Sequence, residues 1–234
     1  MFTVTGELPH LGVPSELLPS AASQLPVLTH DTLGKLQKRG WSRVGLMVAL
    51  TDEDTGEIAM ISHVGRDKNQ PNALGPLGET SKRAGPVIEQ PVETLFRGIK
   101  EELGVKDPQS LGLRMQGRDG WVVNKWPRGV NYPGEFACAI SFAAFMPHGV
   151  LERLVAAPHG NEEANGLLAM HPEAILAASE DRLRPGVKPW LAQLQRAKLL
   201  DPAGPLVRVD FSNNYQTALL DIDLQGAPLP AAVQ

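Results

Sequence analysis

Residues 89–105 read EQPVETLFRGIKEELGV, and this stretch decides the fold. Val92, Leu95, Phe96, Ile99 and Leu103 recur at the spacing of one helix face, which predicts an amphipathic helix over 92–103. Pro91 suits the first helical turn, where its missing N–H leaves no bond unmade. Gly104 suits the left-handed position just past the end. Arg97, Glu101 and Glu102 lie on this helix, with both glutamates in its last turn, where the helix dipole disfavours negative charge. Arg97, one turn before Glu101, offsets part of that cost. A divalent cation would offset more, and hard oxygen ligands favour Mg²⁺, Mn²⁺ or Ca²⁺. The alternative is a solvated helix face carrying an Arg–Glu pair.

Working outward, RVGLMVAL (43–50) and IAMISH (58–63) are apolar, strand-like runs around a TDEDTGE turn and read as a hairpin. A Gly/Pro/Asn-rich loop, NQPNALGPLGETSKRAGP (69–86), leads to the helix. Loops of that length inside a domain are often functional. Strand patterns follow at LGLRMQG (111–117), GWVVNKW (120–126), EFACAISFAAF (135–145) and GLLAM (166–170). HPEAILAAS (171–179) and VKPWLAQLQRAKLL (187–200) read as helices, and THDTLGKLQKRG (29–40) as a short one. VRVDF (207–211) and ALLDIDL (218–224) are strand-like. This order predicts an α+β fold, a mixed sheet flanked by helices. Prolines 9, 14, 19 and 26 make residues 1–40 an extended arm ending in a short helix; 41–200 form the domain and 201–234 an extension.

The chain has 234 residues, with 22 Lys+Arg against 26 Asp+Glu and a net charge of −4. That balance argues against a general nucleic-acid or anionic-membrane binder, both of which need a basic field. One cysteine, Cys138, excludes an internal disulfide framework and a multi-thiolate zinc site. With no membrane-length apolar run and no secretory pattern at the N-terminus, the expected location is the cytoplasm. Cys138 reads as a small buried hydrophobe.

The residues of the predicted helix resemble the Nudix signature, G-x5-E-x7-R-E-U-x-E-E-x-G-U with U a bulky aliphatic. Glu89, Arg97, Ile99, Glu101, Glu102, Gly104 and Val105 fall in register. NEEANGLLAMHPEAIL (161–176) resembles the family's late acidic loop, strand and short helix, so the likeness spans roughly 42–200. It implies an α/β/α sandwich and metal-dependent hydrolysis of a pyrophosphate bond in a nucleoside diphosphate linked to another group. Glu101, Glu102 and Glu89 would bind Mg²⁺ (or Mn²⁺), with Arg97 orienting the acids and main-chain carbonyls of 75–86 completing the site. Two departures stand out. Arg83 occupies the first signature glycine, and Gly98 replaces the glutamate after the arginine. A carboxylate at 98 would lie one turn before Glu101 and Glu102, on their face. A mid-helix glycine also costs about 1 kcal/mol relative to alanine. Close packing against the glycine, or room for a ligand, would offset it. Glu79, Glu162 or Glu163 are candidate replacements for the carboxylate, with Glu163 preferred as the late catalytic acid. The second functional reading is a degenerate module that binds a nucleotide-type ligand without cleaving it.

Trp121, Trp126 and Arg128 are the substrate-binding candidates: the rings to stack on a base or sugar, the cation to meet phosphate. Tyr132 and Lys125 lie near them in sequence. Core packing of the rings and a solvated surface for the cations are the alternatives. The expected partner is a small nucleotide-type substrate, and the terminal arms are candidates for homodimer contacts.

Overall fold

A computed structural model describes residues 25–26, 28–38, 41, 43–63, 72–84, 87–116, 120–127, 136–157, 164–209 and 211. In chain order the elements are α1 (His30–Lys38), β1 (Arg43–Asp52), β2 (Ile58–His63), β3 (Leu74–Gly75), β4 (Leu77–Thr80), β5 (Arg83–Ala84), β6 (Val87–Ile88) and α2 (Pro91–Leu103). Then come β7 (Arg114–Gln116), β8 (Val122–Pro127), β9 (Phe136–Met146), α3 (Val150–Ala156), β10 (Ala164–Met170), α4 (Pro172–Ala177), α5 (Val187–Arg196) and β11 (Leu206–Arg208).

The main sheet runs β10-β2-β1-β9-β7-β11, with β3 on β2, β4 on β1 and β8 on β9. β1 and β9 are parallel from Arg43↔Ala137 to Asp52↔Met146; the other pairings are antiparallel. Covered on both faces, the parallel pair needs apolar residues at successive positions, and this is why its sequence reads as unbroken apolar runs. Val44, Leu46, Val48 and Leu50 join Cys138, Ile140, Phe142 and Ala144 in one layer with α1, α2 and α3. Met47, Ala49, Ala139, Ala143 and Phe145 face the other way, toward α4 and α5. Each fully buried Leu or Phe contributes roughly 1.5–3 kcal/mol. The expected α+β class, a mixed sheet between helices, is the architecture observed.

The β1–β2 hairpin forms, but it opens. Its closing pair is Thr51↔Ile58, and the Asp52 carboxylate accepts the N–H groups of Asp54 and Thr55 to shape the turn. Further along β1, Gly45–Val48 pair instead with β4, a strand drawn from the expected glycine-rich loop. Gly45 is needed here because a Cβ would lie 2.4 Å from the Glu79 carbonyl oxygen. β4 thereby runs under α2 with Glu79 and Thr80 at its end.

Other differences are local. The strand expected from 111 shortens to β7 because Pro108–Leu111 form a 3-10 turn capped by the Asp107 side chain. α3 had no sequence signal strong enough to read; its first residue follows Gly149, at φ 71°. The helix expected to reach 200 ends at Arg196. Residues assigned to the arm and extension also join the core. Leu25, Leu28, Leu33 and Leu36 are buried, β11 adds to β7, and Phe211 meets Phe96 edge-on at 5.5 Å. The strand expected at 218–224 and residues 1–24 of the proline-rich segment that prompts the dimer expectation lie outside the described residues. Among those described, no helix is long and apolar enough to cross a membrane.

Candidate functional site

α2 is held firmly at both ends. Glu93 Oε2 accepts the Gln90 N–H at 2.7 Å, and the Gln90 side chain pairs with the Leu28 backbone in both directions. Gly104 closes the other end at φ 67°, its N–H donating to Lys100 O. Leu95, Ile99 and Leu103 face the core. Position 102 lies on the same side, three residues from Ile99, so Glu102 is drawn inward and is 4% exposed. The neighbouring Glu101 points outward, its side chain 36% exposed. The two adjacent acids therefore diverge, as an angle of about 100° per residue requires.

Arg97 gathers the rest. Nε donates to Glu89 Oε1 at 2.8 Å; Nη2 donates to Glu89 Oε2 at 3.0 Å and to the Thr80 carbonyl at 2.8 Å. Nη1 donates to Glu79 Oε2 at 2.7 Å and Glu101 Oε2 at 2.8 Å. A guanidinium has five N–H groups, and these five bonds account for all of them. Burial works against the charge on Arg97. The hydrogen bond to Glu89 and the fields of Glu79, Glu89 and Glu101 outweigh it and hold the pKa above the usual guanidinium range. Bidentate pairing with Glu89 also fixes the plane of the fork.

Glu89, expected among the metal ligands, is engaged by Arg97 and by the backbone in this structure. Besides both contacts to Arg97, its Oε2 accepts the Lys82 N–H at 2.8 Å and lies 3.2 Å from the Thr94 hydroxyl. Its own N–H donates to Lys82 O. The side chain is 4% exposed. Glu89 is thus a buried clamp joining β4's exit, the start of α2 and Arg97.

Glu79 reaches the cluster from β4 and Glu101 from α2, and both share Arg97 Nη1. Lys82 Nζ approaches Glu101 Oε1 at 3.6 Å on the half-exposed side. The sequence reading had no place for Lys82, whose signal was only its adjacency to the glycine-rich loop. Three carboxylates, Glu79, Glu89 and Glu101, face the Arg97 guanidinium and the Lys82 ammonium, so one negative charge remains in excess. Carboxylate oxygens are the donors Mg²⁺ or Mn²⁺ takes, but these acids are not among the groups of three described residues whose ligand atoms all lie within 4.8 Å of one another. As the side chains stand, they converge on the guanidinium, and the Thr80 carbonyl expected to complete a metal site serves Arg97 instead.

The remaining candidates separate. Trp121 is fully buried in the α2-side core, so it presents no face to a base; its assignment as a stacking residue is corrected. Trp126 is partly buried against the α5-side core, on the opposite sheet face, as the two-residue period of β8 demands. Arg128, Tyr132, Glu162 and Glu163 lie outside the described residues. Cys138 is buried, and burial pushes its thiol up to about 12. At the far end of β1, Asp52, Asp54 and His148 bring ligand atoms within 4.8 Å of one another. There Asp52 is engaged by the turn, and an exposed Asp54–His148 pair at 2.9 Å completes the trio.

No protein-family model matches the chain, and no curated protein matches it. Among solved structures it is similar to a MutT protein from Methanosarcina mazei, at 12% identity, covering 67% of this chain and 94% of that one, TM-score 0.44. It is similar to the E. coli dihydroneopterin triphosphate pyrophosphohydrolase at 16% identity, covering 64% and 92%, TM-score 0.38. A Nudix-family hydrolase from Clostridium perfringens gives 14% identity, 68% and 96% coverage, and a TM-score of 0.37. At these values none of them assigns an activity to this chain. In its signature residues and in the order hairpin, glycine-rich segment, helix and later strands, the chain resembles the Nudix family.

Proposed function

We propose that this protein is a divalent-metal-dependent hydrolase that cleaves a pyrophosphate bond in a nucleoside diphosphate linked to another group. The observation that carries this reading is that Arg97 uses four of its five N–H groups to gather Glu79, Glu89 and Glu101 beside α2, with Glu101 reaching solvent. Glu101, the acid of the cluster that reaches solvent, would hold Mg²⁺ or Mn²⁺. Glu102 is the second acid offered by the signature. When bound, the ion supplies charge neutralisation at the two phosphates and acidifies a bound water. Arg97 orients Glu101, and Glu89 holds Arg97 in place. Lys82, whose ammonium lies 3.6 Å from Glu101 Oε1, is the cation proposed to meet a substrate phosphate oxygen. Glu163 is proposed as the late general base.

The test is turnover of a panel of nucleoside diphosphate compounds with Mg²⁺ or Mn²⁺, wild type beside Glu101→Gln and Glu102→Gln. The expected result is metal-dependent release of a nucleoside monophosphate, reduced by orders of magnitude in Glu101→Gln. Turnover unchanged in both variants would overturn the assignment. Gly98 favours a second reading, a module that binds the nucleotide without cleaving it. Bound nucleotide with no product under any metal would select that one.

A further inference from the structure

Gly98 lies in the middle of α2, where glycine is the poorest helix former except proline. The space around it is already taken. A Cβ at this position would lie 2.7 Å from Glu79 Cγ and 3.5 Å from Glu79 Cβ and Leu77 Cδ1. Cγ is the middle of the Glu79 side chain, not its free end, and the carboxylate beyond it is tied to Arg97 at 2.7 Å. Glu79 also starts from a strand held by four successive pairs to β1. It has little freedom to retreat. The volume next to the helix at position 98 is therefore filled by a carboxylate-bearing side chain from a different element.

We propose that Glu79 and Gly98 are a reciprocal pair: β4 supplies the carboxylate that a glutamate at 98 would have supplied from the helix, and the glycine is there to admit it. The consequence is that the site keeps its number of acids while one of them changes scaffold. Glu79 is a ligand residue of the same site, so the inference rests on the reading of that site as a metal-dependent one. The steric half is independent of it.

Two measurements on the full chain test the pair. The first is thermal stability. At an open helical position Gly→Ala raises stability through helix propensity. Here Gly98→Ala is expected to lower Tm by several degrees, and the sign is expected to reverse in a Glu79→Ala background. A Gly98→Ala variant that is more stable than wild type with Glu79 present would overturn the proposal. The second is Mn²⁺ titration followed by the paramagnetic signal of free Mn²⁺. Glu79→Gln keeps the shape and removes the charge, so it is expected to weaken Mn²⁺ binding at least about tenfold, and to lower Tm as well because it weakens the contact to Arg97. Gly98→Glu alone is expected to lose Tm and gain no affinity. The exchanged double variant, Glu79→Ala with Gly98→Glu, is expected to recover affinity to within about threefold of wild type. Full affinity in Glu79→Gln, or no recovery in the exchanged variant, would also overturn it. Wild type that binds no Mn²⁺ while the Tm sign reverses as expected would defeat the metal reading of the site and leave the interlock standing. Wild type that binds Mn²⁺ without the reversal would do the opposite.

Discussion

The two faces of the sheet each bury polar groups, and they do so differently. On the α5 side, Asn124 and Gln193 are 5% and 3% exposed and Ser141 fully buried. Asn124 Nδ2 donates to Gln193 Oε1, and Gln193 Nε2 donates to Val123 O at 3.3 Å. Asn124 and Gln193 are neutral amides, and their bonds tie β8 to α5. On the α2 side three carboxylates gather on the buried Arg97 guanidinium, and Lys82 adds a longer contact at the exposed Glu101, so acids outnumber cations three to two. The amide pair settles one helix on one strand and carries no net charge, although Asn124 Oδ1 and Ser141 Oγ are buried without a hydrogen-bond partner. The ionic cluster remains unbalanced in charge, and it opens to solvent at Glu101. A buried polar set becomes a site when its internal pairing leaves charge over, next to water.

The comparison can be broken most severely at Arg97. Arg97→Met leaves three carboxylates facing one another, and a loss of about 3–5 kcal/mol or outright failure to fold is expected from urea denaturation. Next comes Glu89→Gln, which keeps the shape and removes the buried countercharge; about 1.5–3 kcal/mol is expected. On the opposite face, Asn124→Leu strands the amide of Gln193 and is expected to cost about 1–3 kcal/mol. Asn124→Leu with Gln193→Leu should cost clearly less than the two single changes added together, because no polar group is then left alone. Additive losses would mean that the pair is not coupled.

A smaller effect is expected from pH. Burial first, and then the charge of Arg184, pushes His63 down to about 3, against a weaker upward pull from its hydrogen bond to the Pro76 backbone. A folded pKa below the unfolded value means the fold favours the neutral ring. That contribution is complete above the unfolded pKa, near 6.5, and is lost as pH falls from there toward about 3. His63→Gln should therefore lose less stability than wild type between about pH 7 and about pH 5, measured as urea midpoints. The smallest change is expected from Glu101→Gln, within about 0.5 kcal/mol, since an exposed pair contributes little. If it proved as costly as Glu89→Gln, the division of the cluster into a buried clamp and an open acid would be wrong.

The residues that could be read in advance were those whose behaviour is local. The 3.6-residue period of Val92 to Leu103, Pro91 at its start and Gly104 at its end report a helix with no knowledge of what covers it. The apolar runs 43–50 and 135–145 likewise announced buried strands, since only a doubly covered strand tolerates apolar residues at every position. Trp121 shows the limit. Its neighbours in sequence suggested a stacking surface, yet which face of a strand a residue takes depends on the partner sheet, and here that face is the core.

The spacing within 89–105 by itself determined that Arg97 and Glu101 would share a helix face and that Glu89 would lie just before that helix, because backbone geometry sets those distances. Only the tertiary structure decided that Glu89 is spent on Arg97 and that Glu79 fills the space beside Gly98. Those outcomes depend on β4 displacing the rest of the hairpin along β1, a long-range pairing whose energy comes from packing and sheet hydrogen bonds between segments far apart in the chain. No local pattern encodes which of two distant strands wins such a place.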